Sequence, residues 1–301
     1  MKERIVTASD DYGYESMKAD IDELCRQYPF VTRDVIGYSV QGRELVALTV
    51  GEGDYKVHMN AAFHANEWVT SLLLLSFVED YAEAVAAGGY LSEFTGDDLF
   101  RHAALHAVPM VNPDGVELVQ RGVAPEDEQA ELLRLNGGSA DFSAWKANIR
   151  GVDLNDQFPA FWEEERRRRS PDSPGPRDYV GPQPLSEPEA AAMASCVSER
   201  RFDCVLALHT QGREIYWNYR DFEPPEAARL SELLAEASGY KAVKLLDSDA
   251  GFKDWFIERF RKPGFTVEAG YGVNPLPIHG FPAMYQEVVP ILERCLMLPQ
   301  L

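Results

Sequence analysis

The amino-acid sequence predicts an α/β fold, because two apolar patterns alternate along the chain. Segments with the apolar spacing of helices follow short apolar runs of strand length. Hydrophobic residues make up 45% of the 301 residues, which is enough for a substantial core. The sequence has neither a periodic repeat nor a sustained heptad pattern. We therefore expect a single domain over residues 1–301.

The first predicted elements are a helix and a hairpin. Helical spacing runs from Tyr14 to Tyr28, where Met17, Ile21 and Leu24 share one face. Two predicted strands joined by a turn at Gly42 follow, at Val31 to Tyr38 and Glu44 to Val50.

The next predicted strand, Val57 to Phe63, delivers His64 at its C-terminal end. That end of a strand is the usual edge for sites in open α/β sheets. A long helix from Trp68 to Ala86 is expected to pack against the sheet. Another buried strand, Ala104 to Val111, is predicted to end at a turn formed by Asn112-Pro113-Asp114-Gly115.

Two more predicted strands end on polar residues. Val205 to Leu208 leads to His209, and Phe265 to Ala269 carries Glu268. Tyr285 to Leu298 predicts a closing amphipathic helix. Several strand ends thus bring polar side chains towards one edge of the sheet.

The least regular region runs from Phe161 to Pro188. It contains three glutamates at 163–165, four arginines at 166–169 and a proline-rich stretch, so we expect a solvated loop. We place no domain boundary there, because candidate metal ligands occur on both sides of it.

The net charge of −20 argues against a nucleic-acid partner and against binding to an anionic membrane surface. No apolar run has the length of a signal peptide or of a membrane span. The four cysteines lack C-x-x-C spacing and are interpreted as buried thiols in a reducing compartment: Cys25, Cys196, Cys204 and Cys295. A cytoplasmic location is expected on these grounds.

Three residues form a candidate metal site. His64 and Glu67 have H-x-x-E spacing, and His209 follows a buried strand far downstream. Two histidines and one glutamate are a catalytic zinc set, because three protein ligands leave a fourth position for water. The other histidines are interpreted as structural or surface residues: His58, His102, His106 and His279.

The order of five motifs strengthens this interpretation. They are H-x-x-E at 64–67, N-P-D-G at 112–115, G-V-D-L-N at 151–155, the strand ending at His209, and T-x-E at 266–268. This order resembles the zinc carboxypeptidase family, over nearly the whole chain. The segment 36–44 also resembles the first hairpin of that family. The resemblance implies a mixed, twisted sheet with helices on both faces.

The resemblance implies a role for each matching residue. His64, Glu67 and His209 would bind one Zn²⁺. Asp153 matches the carboxylate that supports the first histidine. Glu268 matches the glutamate that acts as general base towards the attacking water and then as acid towards the leaving amine.

The family places an arginine near the scissile carbonyl, just after a tryptophan. Here Trp145 is followed by Lys146, and Arg150 lies four residues further on. Either cation could stabilise the oxyanion, and the alignment favours Lys146. Only arginine, however, offers a bidentate fork.

The chain also departs from the family. Asn155-Asp156 stands where carboxypeptidases read a terminal carboxylate with Asn-Arg, and a second carboxylate there would repel it. Asn66 replaces the arginine inside the H-x-x-E motif, and no tyrosine of a mobile loop is found near Leu246. Removal of an ordinary C-terminal amino acid is therefore not expected.

The family's side-chain preference is set just before an Asp-Trp pair, where this chain has Lys253. A buried lysine favours an anionic substrate group, whereas Asp156 favours a cationic one. Meso-diaminopimelate in bacterial peptidoglycan carries both. The stretches 148–159, 176–179 and 184–190 further resemble the bacterial γ-D-glutamyl-meso-diaminopimelate endopeptidases. The implied substrate is a small muropeptide, and no separate wall-binding domain is expected.

Other residues near the motifs remain open. Tyr216 and Trp217 are interpreted as core aromatics, and Arg213 is either a carboxylate anchor or a surface charge. Tyr271 and Asn274 could form part of a rim. Two alternative functions also remain: a zinc-dependent deacylase of N-acyl amino acids, and a non-catalytic peptide-binding module.

Overall fold

The computed structural model describes residues 4–123, 126–169 and 171–301. Eight strands form one sheet in the order β1-β2-β4-β3-β5-β8-β6-β7. Their bounds are β1 (Thr32–Tyr38), β2 (Glu44–Val50), β3 (Tyr55–Ala61), β4 (Ala103–Val108), β5 (Cys204–His209), β6 (Glu214–Tyr216), β7 (Lys241–Val243) and β8 (Gly264–Glu268).

The sheet is mixed. Strands β4, β3, β5 and β8 are parallel neighbours in its centre, and β6 and β7 are also parallel. The pairs β1–β2, β2–β4 and β6–β8 are antiparallel. This arrangement confirms the predicted α/β class with a mixed sheet.

The helices of the described residues are α1 (Tyr14–Gln27), α2 (Val69–Ala87), α3 (Gly96–His102), α4 (Pro113–Arg121), α5 (Glu126–Leu135), α6 (Trp162–Arg168), α7 (Pro188–Arg200), α8 (Ala227–Ser238), α9 (Phe252–Phe260) and α10 (Phe281–Met297). No helix in this described part is both long and apolar enough to cross a bilayer.

Side chains that alternate along the central strands pack into two hydrophobic cores, one on each face of the sheet. In β5, Leu206 and Leu208 belong to the larger core, which includes α2 and α10, whereas Val205 and Ala207 belong to a second core with α7 and α9. Successive side chains of a strand point to opposite faces, so each central strand is covered on both sides.

The predicted turn at Asn112 is a helix start instead. The Asn112 side chain accepts a hydrogen bond from Gly115 N at 3.1 Å, and Pro113 is the first residue of α4. The turn prediction was wrong because an asparagine at the N-cap position, followed by proline, is as typical of a helix start as of a turn.

The predicted solvated loop at Phe161–Pro188 is wrong for its first part. Residues Trp162–Arg168 form α6, and Glu165 is buried. Arg168 and Arg169 both pair with this carboxylate, at the i+3 and i+4 spacings that a helix brings together. Part of the charge run therefore forms an ion-pair network around buried Glu165, whereas Glu163, Arg166 and Arg167 are exposed.

His58 and His106 occupy the second core, as structural residues. Their Nδ1 atoms lie 3.0 Å apart, and His58 Nε2 lies 3.1 Å from the Asn60 amide nitrogen. Burial lowers the pKa of both rings, that of His106 to about 3.

Candidate active site

Three adjacent parallel strands supply the site. His209 and Glu268 are the last residues of β5 and β8 and are paired in register, and His64 lies three residues after the end of β3. The C-terminal ends of parallel strands meet at one edge of a sheet, so these three side chains converge there.

The three candidate ligands form one compact, buried cluster. His64 Nδ1 lies 2.9 Å from Glu67 Oε1, and His209 Nδ1 lies 3.1 Å from Glu67 Oε2. The two histidine Nδ1 atoms are 3.1 Å apart. Glu67 reaches the cluster from the short 3₁₀ helix Ala65–Glu67, which follows His64 directly.

This cluster fits a zinc ion. Atoms bound tetrahedrally to zinc at about 2.0–2.1 Å lie roughly 3.3 Å from each other, close to the separations seen here. Buried His64 is also oriented for it, because its Nε2 lies 3.2 Å from Asp153 Oδ1. An N–H at Nε2 turns the Nδ1 lone pair towards the cluster.

Glu67 is positioned by its neighbours on both oxygens. Thr210 N donates to Oε2 at 3.2 Å, and Asn274 Nδ2 donates to Oε1 at 3.3 Å. Burial alone would raise the pKa of Glu67, but the adjacent imidazoles of His64 and His209 outweigh it and hold this pKa well below its usual range. An ionised carboxylate at this position is suited to bind a cation.

Lys146 is the cation next to the cluster. Its Nζ contacts Asp153 Oδ2 at 2.8 Å. Burial would lower the pKa of Lys146, yet the charge of Asp153 outweighs burial and raises it. Asp153 therefore touches both Lys146 and His64, on its two different oxygens.

Arg150 lies elsewhere. Its side chain is half exposed and pairs with Glu187 at 3.6 Å, and it borders a different cavity from Lys146. The structure therefore brings Lys146, and not Arg150, to the candidate site.

A cavity of about 150 Å³ opens beside the cluster. Its lining includes His64, His209 and Glu268 from the strand ends and Lys253 and Asp254 from α9. Asn155 and Tyr216 also contribute to its wall. A reacting group at the cluster and a substrate side chain at Lys253 would thus share one continuous space.

Glu268 is only partly exposed to this cavity. Burial, followed by the negative charge of Glu67, raises the pKa of Glu268 to about 8. A carboxylate whose pKa lies near neutrality is suited to accept and return a proton.

The predicted substrate-binding residues occupy different places. Lys253 is buried and donates to the Asn218 carbonyl oxygen at 2.7 Å and to Asp254 Oδ1. Asp156 is buried behind the cavity, where it pairs with Arg169 at 3.1 Å. Burial, followed by the charge of Asp153, raises the pKa of Asp156 to about 7.

The remaining predicted residues are peripheral. Arg213 is half exposed and pairs with Glu287, outside the cavity. Trp217 packs against the larger core, and Tyr271 is exposed. Asn274 is the exception, since it joins Glu67 to Thr210.

The sequence reasoning missed one cavity residue, Asp254, and one ion-pair partner of a predicted residue, Arg169. Asp254 lines the cavity beside Lys253, and its position next to the predicted specificity residue was the available signal. Arg169 neutralises Asp156, and it was hidden in the arginine run at 166–169, where the spacing from Glu165 was the available signal.

Comparison with known proteins extends this description. A family model described as zinc carboxypeptidase matches residues 17–269. Gamma-D-glutamyl-L-diamino acid endopeptidase 1 of Lysinibacillus sphaericus is 46% identical over 289 residues, which cover 96% of this chain and 73% of that protein.

Solved structures agree with the fold. Bovine thrombin-activatable fibrinolysis inhibitor, in complex with tick carboxypeptidase inhibitor, has a TM-score of 0.77 at 19% identity, covering 96% of this chain and 98% of that one. Carboxypeptidase A from Helicoverpa armigera has a TM-score of 0.73 at 20% identity, covering 98% of this chain and 76% of that one. At these identities the likeness establishes the fold alone.

Proposed function

Because the chain belongs to the zinc carboxypeptidase family, and is therefore a hydrolase, we propose that it cleaves the amide between γ-D-glutamate and meso-diaminopimelate in peptidoglycan stem peptides. The observation that carries this proposal is the relative at 46% identity, whose name gives a γ-D-glutamyl–diamino acid bond as its target. The buried cluster of His64, Glu67 and His209 supports a metal-dependent reaction.

The proposed centre holds one zinc ion on His64, Glu67 and His209. A zinc ion there would polarise the scissile carbonyl and lower the pKa of a bound water to about 7. The protein supplies the geometry, because the two histidines and the glutamate already face each other within 4.8 Å.

Glu268 is proposed as the residue that moves the proton. It would accept a proton from the attacking water and return it to the leaving amine, from its position at the end of β8. His209 is its register partner on β5, so the sheet fixes the distance between base and cluster.

Lys146 is proposed to stabilise the negative charge that develops on the carbonyl oxygen. It stays protonated beside Asp153 and faces the same cavity as Glu268. Asp153 contacts both Lys146 and His64. One carboxylate therefore holds both the cation proposed to stabilise the oxyanion and the first proposed metal ligand.

The test is hydrolysis of L-Ala-γ-D-Glu-meso-diaminopimelate by the purified, zinc-loaded protein, with the same protein after chelation as comparison. We expect release of diaminopimelate, lost on chelation and regained with zinc. Cleavage that is unaffected by a chelator would contradict the metal mechanism. Turnover of N-acyl amino acids without any turnover of the peptide would favour the deacylase alternative.

A further inference from the structure

Lys253 and Asp254 form a buried ion pair in the wall of the active-site cavity. Both side chains are about 5% exposed, and the Lys253 ammonium contacts Asp254 Oδ1 directly. Because the two charges are opposite and adjacent, this part of the cavity is neutral as a whole. A neutral ion pair and a single buried lysine favour substrate side chains of different net charge.

We propose that the Lys253–Asp254 pair is the receptor for a substrate side chain that ends in an amino acid group, with its carboxylate at Lys253 and its ammonium at Asp254. This inference rests on the proposed function and deepens it, because it assigns the residues that read the diamino acid. It also replaces Asp156, which the sequence suggested as the acceptor of the ammonium group.

Asp156 is unsuited to that role because it already has a cationic partner. It is buried outside the cavity wall, and the Arg169 guanidinium lies 3.1 Å from its Oδ2. An ammonium group brought there would compete with an arginine that also pairs with Glu165 at 2.7 Å. Asp254, in contrast, lines the cavity.

The pair retains capacity for new partners. An ammonium group has three donors, and Lys253 directs two of them to Asn218 O and Asp254 Oδ1. An ionised carboxylate accepts about four hydrogen bonds, so Asp254 can bind a second cation. Asn155 accepts from Phe252 N with its amide oxygen, which leaves its amide nitrogen as a donor for a carboxylate.

Charge balance then sets the selectivity. A zwitterionic group adds one charge of each sign, so four alternating charges compensate each other within the buried site. A lysine side chain adds a single positive charge beside Lys253, and the resulting excess has no counterion. Leaving a charge uncompensated in a buried site is strongly unfavourable, whereas a fully paired arrangement is tolerated. The site should therefore reject both purely cationic and purely anionic side chains.

The first arm of the test compares three substrates of the zinc-loaded protein: the L-Ala-γ-D-Glu tripeptides of meso-diaminopimelate, of L-lysine, and of diaminopimelate amidated at its distal carboxylate. We expect kcat/KM to fall by about 100-fold for the lysine and amidated peptides, because each leaves buried polar groups unpaired. Equal rates for the three peptides would overturn the inference and leave the proposed function intact. Absence of cleavage for all three would overturn the proposed function, and with it this assignment.

The second arm uses Lys253→Met, which turns the neutral pair into a single negative charge. We expect this variant to lose activity on the diaminopimelate peptide and to gain it on the lysine peptide, so that the ratio of the two kcat/KM values reverses. Lys262→Met is the matched control, because Lys262 pairs with Asp203 outside the cavity. A gain of activity towards one substrate cannot result from failure to fold.

Calorimetric titration with free meso-diaminopimelate and free L-lysine gives a readout that is independent of turnover. Wild-type protein should bind diaminopimelate at least 10-fold more tightly than lysine, and Lys253→Met should lose this preference. A variant that keeps the wild-type ratio in both binding and turnover would show that the pair only stabilises the start of α9.

Discussion

The Nδ1 atoms of His64 and His209 lie 3.1 Å apart, although the two residues are separated by 145 positions in the chain. Two imidazole nitrogens and the Glu67 carboxylate face one small volume from the ends of β3 and β5. Lone pairs directed at each other repel unless a cation lies between them. This geometry is the physical basis of the zinc assignment and of the first three predictions below.

Glu268→Gln should lower kcat by about 10²- to 10⁴-fold, because glutamine cannot accept the proton of the attacking water. Zinc affinity should remain close to that of the wild type, since Glu268 is not a member of the ligand cluster. The two measurements are peptide hydrolysis and competition for zinc with a chelating dye. Loss of zinc binding in this variant would instead assign Glu268 to the metal.

Zinc should stabilise the folded chain, since the cluster exists as such only in the native fold. At a free zinc concentration 100 times the Kd, the expected gain in the free energy of unfolding is about 2.7 kcal/mol. Thermal unfolding with and without zinc measures it. His209→Asn should abolish most of the gain, whereas the exposed His279→Asn should retain it. Equal gains in both variants would place the bound zinc elsewhere.

Asp153→Asn should weaken zinc binding about 10- to 100-fold. Asparagine keeps the shape of the side chain but removes the negative charge that both His64 and Lys146 contact. Zinc affinity from chelator competition is the measurement, and the exposed Asp97→Asn is the control. An unchanged affinity would show that Asp153 serves Lys146 alone.

The free energy of unfolding should decrease as the pH falls below about 6.5, because of His58 and His106. The folded-state pKa of His106 is about 3 against 6.5 for an exposed ring, so between these values the unfolded chain takes up a proton that the folded chain excludes. From pH 7 to pH 5 the loss is about 2 kcal/mol for such a histidine.

Urea unfolding at both pH values tests this, with His106→Asn as the variant and His279→Asn as the control. Asparagine can keep the contact with His58 Nδ1, yet it does not titrate. Its stability should therefore vary less with pH than that of the wild type. Identical pH dependence in the two proteins would contradict the assignment to this pair.

Glu165→Gln should lower the free energy of unfolding by about 1 kcal/mol, because both arginines are partly hydrated and keep other carboxylate partners, Asp249 and Asp156. It leaves Arg168 and Arg169 without the buried carboxylate that both contact, and it weakens the acceptor for Asp249 N. Glu163→Gln on the same helix is the matched control, because Glu163 is exposed. Equal urea midpoints for the two variants would show that the network contributes little.

The candidate metal cluster could be predicted from the sequence because its signals are local. His64 and Glu67 lie three residues apart, and His64 and His209 each follow an apolar run that reads as a buried strand. Parallel strands then bring such ends together with no further information. The order of the motifs indicated the family, and the family implied the rest of the fold. The family model that matches residues 17–269 confirms this assignment.

The partners of buried charges were not accessible in the same way. Asp249 pairs with Arg168 and Arg220, which lie 81 and 29 positions away in the sequence. Asp156 pairs with Arg169, across an irregular stretch whose path the sequence pattern does not reveal. A run of charges has the same composition on a solvated loop and in an internal network. Only the tertiary fold decides which of the two it forms. The prediction of a turn at Asn112 was wrong for a related reason, because asparagine followed by proline is typical both of turns and of helix starts.

The register between β5 and β8 has a practical meaning for altering this protein. His209 and Glu268 sit on hydrogen-bonded neighbouring strands in the middle of the sheet, whereas Lys253 and Asp254 begin a helix beyond the loop that precedes it. The proposed catalytic residues and the proposed side-chain site thus lie on separate structural elements. Variants with new specificity are best sought by exchanging the stretch 245–254, while β5 and β8 remain unchanged.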